Sequence, residues 1–221
     1  MSSLAIQEAF LDLVPRFEKH SGRKVAAVWA GMADIRKRLI AGEAADAVIA
    51  SAAAVDELLA LGKLAVGSKV DIATSHIMVA VRAGAPKPAI GTTQALKDAL
   101  AKAKTVGYSS GPSGVYLSGL FEKWGVPKHK IAQTPPGTPV GPLIARGEIE
   151  IGFQQWSELL PIPGLDIVGP LPDDIQLVNT FSGAVSAAST EQAAAKQLLE
   201  FLRSAESAPV LRDKGMEPAK K

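Results

Sequence analysis

The chain has 221 residues, of which 47% are apolar, 21% charged and 5% aromatic. That is enough to bury one large core or two small ones, and too apolar for an intrinsically disordered chain. Its 24 basic and 22 acidic side chains are interspersed and leave a formal charge of +2, with no basic stripe of the kind that binds nucleic acid. Cysteine is absent, which excludes disulfides, thiolate metal ligands and cysteine nucleophiles, and no apolar run reaches the roughly 18 residues of a membrane-crossing helix.

Taken in chain order, Ser2 or Ser3 caps a helix whose apolar residues Leu4, Phe10, Leu13, Val14 and Phe17 recur at helical spacing, ending near His20-Ser21-Gly22. Lys24 to Trp29 reads as a strand, and Ala30-Gly31-Met32-Ala33-Asp34 as a loop entering a helix from Ile35 to Ile40. A buried strand is expected at Ala47 to Ala50, a helix from Val55 to Leu61 and a strand from Ser75 to Arg82. The linker Ala83-Gly84-Ala85-Pro86-Lys87-Pro88 precedes a helix capped by Thr92 or Thr93 and reaching Ala103. Thr105 to Tyr108 is a strand, and Ser109-Ser110-Gly111-Pro112-Ser113-Gly114 turns into a helix from Val115 to Trp124. Helix Val140 to Arg146, strand Glu150 to Gln154, strand Gln176 to Ser186 and helix Glu191 to Ser204 complete an alternating α/β chain with mainly parallel sheets.

The order of elements repeats. Ser2-Ser3 opens a helix ending in Phe17-Glu18-Lys19, and Ser113-Gly114 opens one ending in Phe121-Glu122-Lys123. Ile40-Ala41-Gly42-Glu43 leads into one strand, and Ala145-Arg146-Gly147-Glu148 into its counterpart. Two equivalent lobes follow, each offering a helix N-terminus to a shared cleft. A single open sheet of flavodoxin type is the alternative. The repeat also leaves a gap, because Lys104 to Tyr108 precedes the second serine turn while the first begins at Ser2. A central strand of about five residues is expected upstream, lost through a displaced start or trimming.

A helix N-terminus presents unpaired N–H groups and a partial positive charge, so it attracts anions. Ser2 and Ser3, then Ser109, Ser110, Ser113 and Gly114, supply small residues and hydroxyl donors at two such positions. Gly31 and Met32 open a third helix, with Arg36 one turn on, and Gln154-Gln155 at a strand end offer amide donors. His20, His76 and His129 are scattered without metal-ligand spacing, and no phosphate-loop or dinucleotide fingerprint occurs, so neither a metal nor a cofactor is expected.

The motifs Ile151-Gly152-Phe153-Gln154-Gln155-Trp156-Ser157-Glu158-Leu159-Leu160-Pro161 and Val81-Arg82-Ala83-Gly84-Ala85-Pro86 resemble the molybdate-binding-protein-like family of periplasmic solute-binding proteins. Tyr108-Ser109-Ser110-Gly111-Pro112-Ser113-Gly114 and Val168-Gly169-Pro170-Leu171-Pro172 support the resemblance. It implies a two-lobed type II periplasmic-binding-protein fold with two crossing strands and an interlobe cleft, lobe one being residues 1–77 with 183–221 and lobe two residues 78–182. It implies a monomeric receptor for a small oxyanion or carboxylate, with an ABC transporter permease as partner and no nucleic acid. By the resemblance the ligand positions fall on Ser3, on Gly31 or Met32, and on Ser113, Val140 and Gln155. The Phe-Gln-Gln and Glu-Leu-Leu-Pro pattern is similar to the branch that includes aconitate isomerase, so an enzyme acting on a tricarboxylate in the same cleft is the alternative to a receptor. Such an enzyme needs a base that removes and returns an allylic proton, for which His76 and Glu158 are the candidates. The resemblance implies a periplasmic location, whereas Met1-Ser2-Ser3-Leu4 shows no basic-then-apolar leader and leaves a cytoplasmic one open.

Overall fold

Helical and extended stretches alternate along the chain, and in the computed structural model, which describes residues 1–220, they build two compact units. One comprises Met1–Ser75 and the chain from Asn179 on; the other is His76–Val178. The elements run β1 (Ser2–Ser3), a 3-10 turn (Leu4–Ile6), α1 (Gln7–Ser21), β2 (Trp29–Ala30), α2 (Met32–Ile40), β3 (Ala47–Ser51), α3 (Ala52–Ala60) and β4 (Val70–Arg82). They continue with α4 (Thr93–Lys102), β5 (Val106–Tyr108), α5 (Pro112–Lys123), β6 (Ile131–Gln133), α6 (Gly141–Ala145), β7 (Ile151–Gln155), α7 (Trp156–Leu159) and β8 (Leu165–Pro170). The last are β9 (Val178–Val185), α8 (Gln192–Leu202), α9 (Ala208–Asp213) and β10 (Glu217–Pro218).

The repeat seen in the sequence is a repeat of topology. In the first unit β1 lies between β2 and β3, parallel to both, and β9 follows antiparallel to β3. In the second, β5 lies between β6 and β7, parallel to both, and β4 runs antiparallel to β7. Added strands β10 and β8 both pair antiparallel with β4, β10 at Ala73 and Thr74 and β8 from Met78 to Arg82. These antiparallel strands replace the mainly parallel arrangement expected from the alternation, and they exclude the all-parallel single sheet of flavodoxin type.

In each unit the sheet is covered on both faces. Phe10, Leu13 and Phe17 of α1 pack with Ile49, Ile72, Phe181 and Leu199, while Ile35, Leu39, Val55 and Leu58 of α2 and α3 meet Val48 and Ala50 of β3. In the second unit alternate residues of β4 divide between two cores, as strand geometry requires. Ile77, Val79 and Val81 join Leu117, Phe121 and Phe153; Met78 and Ala80 join Val140, Ile144 and Leu159.

Helices α2 and α5 begin three residues earlier than periodicity suggested. Gly31 and Gly111 adopt extended backbone as caps, and Pro112, with no N–H to leave unpaired, fits the first helical position. Thr92 caps α4 as expected, its side chain accepting from Ala95 N–H. The strand expected over Lys24 to Trp29 forms only at Trp29–Ala30, because its neighbour β1 offers two residues, Ser2 opposite Trp29 and Ser3 opposite Ala30. Strands β6, β8 and β10 and helices α7 and α9 were not anticipated; their short or weakly periodic stretches carry little signal.

Phe121 is fully buried, with its ring 5.7 Å from that of Tyr108 and 5.3 Å from that of Phe153. Phe121→Ala leaves a cavity and should cost about 3–5 kcal/mol in urea unfolding, with α5, β5 and β7 losing a shared anchor.

Candidate functional site

The C-terminal end of β7 is unusually polar for a buried strand. Gln154 and Gln155 are 1% and 3% exposed, and alternation sends their side chains to opposite faces of the sheet. Gln154 Oε1 accepts from Val140 N–H at 2.9 Å, and Gln154 Nε2 donates to Glu158 Oε1 at 2.8 Å. Val140 N–H only donates and a carboxylate accepts, so the two partners fix which way the amide points. Glu158 is half-buried over its whole side chain, but its carboxyl is surrounded by protein, and dehydration pushes it up to about 7 against a smaller opposing effect of the Gln154 hydrogen bond.

Next to this relay two polar atoms are buried with no partner, Gln155 Oε1 and Ser157 Oγ. Buried polar atoms are nearly always paired, and an orphaned one costs on the order of 1–3 kcal/mol, so these mark places where a ligand or water completes the structure. His76 is half-buried on β4, beside Ile77, whose register partner is Gln155. Ser109 and Ser110 are half-buried in the turn after β5, while Ser113 and Gly114 are buried in the first turn of α5, whose cap Gly111 provides no side-chain acceptor. Gly114 has a structural reason of its own: a Cβ there would lie 1.5 Å from the Ser109 carbonyl oxygen, so only glycine lets α5 close on that turn.

The first unit presents a second group. Ser2 and Ser3 are 3% and 5% exposed at the end of β1; Ser2 Oγ donates to the Ser3 carbonyl, and Ser3 Oγ is buried without a partner. Neither serine caps the following turn through its side chain. Gly31 caps α2 with extended backbone and Met32 is half-buried.

Two expected ligand groups are already engaged within the protein. The N–H of Val140 is occupied by Gln154, and the exposed Arg36 donates through Nε to Glu57 Oε1 of α3 at 2.5 Å. Ser157, Gln176 and Asn179, each with a buried unpartnered side-chain atom, were missed by sequence reasoning. Ser157 follows the Gln154-Gln155 pair directly, but a serine's orphaned hydroxyl is visible only once its neighbours are packed. Among the described residues no group of three or more His, Cys, Asp or Glu could hold a metal ion, and no helix is long and apolar enough to cross a membrane.

The family model of bacterial extracellular solute-binding proteins matches residues 1–217. The chain belongs to this solute-binding family. An aconitate isomerase from a Pseudomonas species is 42% identical over 226 residues, covering 99% of this chain and 86% of the relative. The periplasmic molybdate-binding protein of Azotobacter vinelandii superposes with a TM-score of 0.81 at 15% identity, over 99% of this chain and 98% of the other. The tungstate ABC transporter protein of Geobacter sulfurreducens gives 0.75 at 19% identity, over 96% and 97%. At such identities the structural likeness establishes the type II periplasmic-binding-protein fold. The resemblance read from the Gln154-Gln155 and Gly84-Ala85-Pro86 motifs is thereby borne out.

In this solute-binding protein the raised carboxyl of Glu158 has a measurable consequence. The folded state holds a proton between about pH 4.5 and 7 that the unfolded chain has released, so this group's contribution to stability is full below pH 4.5 and is lost as pH rises through 7. Glu158→Gln keeps an acceptor for Gln154 Nε2 and removes the charge. Urea unfolding should find it more stable than the parent by up to about 3 kcal/mol at pH 8, with the difference nearly gone at pH 5. Gly114→Ala should instead destabilise at every pH, because the Ser109 turn must move.

Proposed function

We propose that this chain binds a small carboxylate-bearing anion and isomerises it, interconverting trans- and cis-aconitate or a close tricarboxylate analogue. The observation that bears the reading is the Glu158 carboxyl, held by Gln154 and lifted to about 7, where a group can both take and return a proton at neutral pH. The relative at 42% identity, named an aconitate isomerase, supports the same chemistry. In the reaction Glu158 accepts one proton from the allylic carbon, the double bond shifts by one position as the electron pair delocalises, and the proton is returned at the other end of the allyl unit. Atoms and electrons balance with no oxidant or reductant. His76 is the competing base.

Polar groups that could meet an anion occur in each unit, Ser2, Ser3, Gly31 and Met32 in the first and Ser109, Ser110, Ser113, Gly114 and Gln155 in the second; the reading rests on those of the second, where Ser157 adds an orphaned hydroxyl. The second reading is a monomeric receptor that delivers an oxyanion or carboxylate to an ABC transporter permease outside the cytoplasm. Membership of the solute-binding family favours it.

Ultraviolet absorbance of trans-aconitate incubated with the purified protein separates the two. The isomerase reading predicts turnover whose kcat/KM rises through a pH near 7, is lost at least a hundredfold in Glu158→Gln and survives in His76→Gln. Saturable thermal stabilisation by aconitate without turnover identifies a receptor, and neither result in the parent protein removes the carboxylate reading altogether.

A further inference from the structure

Around Ile77 of β4 the second unit buries two glutamine oxygens that have no partner among the described residues, Gln155 Oε1 and Gln176 Oε1. Gln155 is 3% exposed and is the register partner of Ile77 across β7 and β4. Register partners point to the same side of a sheet, as do residues two apart on one strand. Gln155 is therefore directed, with Ile77 and Phe153, to the face that α5 covers through Leu117 and Phe121. Gln176 lies on the other edge of Ile77. It follows a 3-10 turn at Asp173–Ile175, and its Nε2 donates to the Ile77 carbonyl at 3.2 Å, an oxygen that Leu171 N–H also reaches at 3.3 Å.

Both glutamines stand near the start of α5. β5 and β7 run parallel with Tyr108 opposite Phe153, so Gln155, two residues on, is level with the turn that carries the chain from β5 into α5. The stretch before Gln176 is tied to the same helix, because Tyr116 Oη donates to the Ile175 carbonyl at 2.7 Å, and Ile175 and Leu177 pack on the core that holds Ile77. The first bond of the α5 ladder runs from Val115 N–H to the Gly111 carbonyl. Pro112 has no N–H, so the N–H groups of Ser113 and Gly114 are the donors that this helix start leaves over.

These groups ask opposite things of a ligand. Main-chain N–H groups at the positive end of a helix attract an anionic oxygen, whereas an amide oxygen repels one and accepts only from a donor. Gln155 can serve either, since Oε1 is bonded to nothing and a half-turn of the amide exchanges oxygen for nitrogen. Gln176 cannot, because the same half-turn would set its oxygen against the Ile77 carbonyl. Gln176 Oε1 is a fixed acceptor beside a group of anion donors.

We propose that Gln176 is a specificity-determining residue that reads a hydroxyl, so that the site at the start of α5 takes a small hydroxycarboxylate, its carboxylate at the Ser113 and Gly114 N–H groups and its hydroxyl donating to Gln176 Oε1. The inference rests on the carboxylate part of the proposed function and adds a ligand class to it. Aconitate carries carboxylates and no hydroxyl, so a hydroxylated acid of similar size binds more tightly and competes with it. A fully ionised tetrahedral oxyanion has no proton to give and leaves Gln176 unmet.

Calorimetric titration of the full chain at pH 8, where carboxyls are ionised, compares acids that differ by one hydroxyl: 2-hydroxypropane-1,2,3-tricarboxylate with propane-1,2,3-tricarboxylate, and malate with succinate. In at least one pair the hydroxylated acid should bind about tenfold more tightly or better, and the ratio should fall to about one in Gln176→Leu while the deoxy acid changes less than about threefold. In the parent protein the side-chain amide protons of Gln176 should shift in NMR spectra with the hydroxylated acid and stay in place with its deoxy partner, a readout that stands even where Gln176→Leu does not fold. Equal affinities within both pairs, with an ordered water meeting Gln176, would overturn the proposal and leave the carboxylate reading intact. So would a preference that survives in a folded Gln176→Leu, or amide protons that respond alike to both members of a pair. Binding of none of the four acids would overturn it together with the carboxylate reading. Absence of aconitate turnover, by contrast, removes only the isomerase step.

Discussion

A central parallel strand needs hydrogen-bonded neighbours on both edges, and in both units that requirement fixes where everything else goes. β5 meets it over three rows, and from its end the chain turns through Ser109 and Ser110 into α5, with Gly114 permitting the close approach. β1 meets it over two rows against β2 and one against β3, and from its end the chain turns at Ser3 toward α1. The serines that could greet an anion are therefore products of strand position. They sit where a parallel strand gives way to a helix and where main-chain N–H groups are least occupied.

Chemistry enters through a different feature, the pair of glutamines that closes β7. Opposite faces of one strand give the two amides opposite roles. Gln154 is saturated, joining the Val140 backbone to Glu158 and thereby holding a carboxyl group among protein atoms that favour its protonated form. Gln155 is left with an oxygen that no described residue satisfies, and Ser157 adds a second unsatisfied atom two residues on. Such an unmet group at a buried strand terminus carries a stability cost that a bound ligand or an ordered water would relieve. The receptor and isomerase readings share this binding chemistry and differ in whether the Glu158 proton moves.

Much of this was legible in the sequence because it follows from periodicity and from short motifs. The alternation of elements, the Thr92 cap, the repeated Phe-Glu-Lys helix ends and the Gly-Glu turns all predicted a duplicated α/β architecture that the sheet order reproduces. Less legible was anything that depends on a partner distant in sequence. Val25 to Val28 has strand character but lies in no strand, because pairing and not propensity decides a strand. Arg36 looked free at a helix start and is engaged by Glu57 twenty-one residues on. Gly114 looked like a ligand approach and is also demanded by the Ser109 carbonyl, while the Gln154–Glu158 link required the geometry of a strand end turning into α7. The orphaned atoms of Ser157, Gln176 and Asn179 had no signature at all, since an unmade hydrogen bond is a property of packing.

Amide exchange with and without saturating trans-aconitate is the most direct measurement of whether a carboxylate ligand completes the polar groups at the end of β7. The account predicts slowed exchange at Ser113 to Val115 and at Ser157 to Leu159 in the second unit, with the same ligand concentration giving half-protection at both. Unchanged exchange at both stretches, or protection confined to residues away from them, would contradict it.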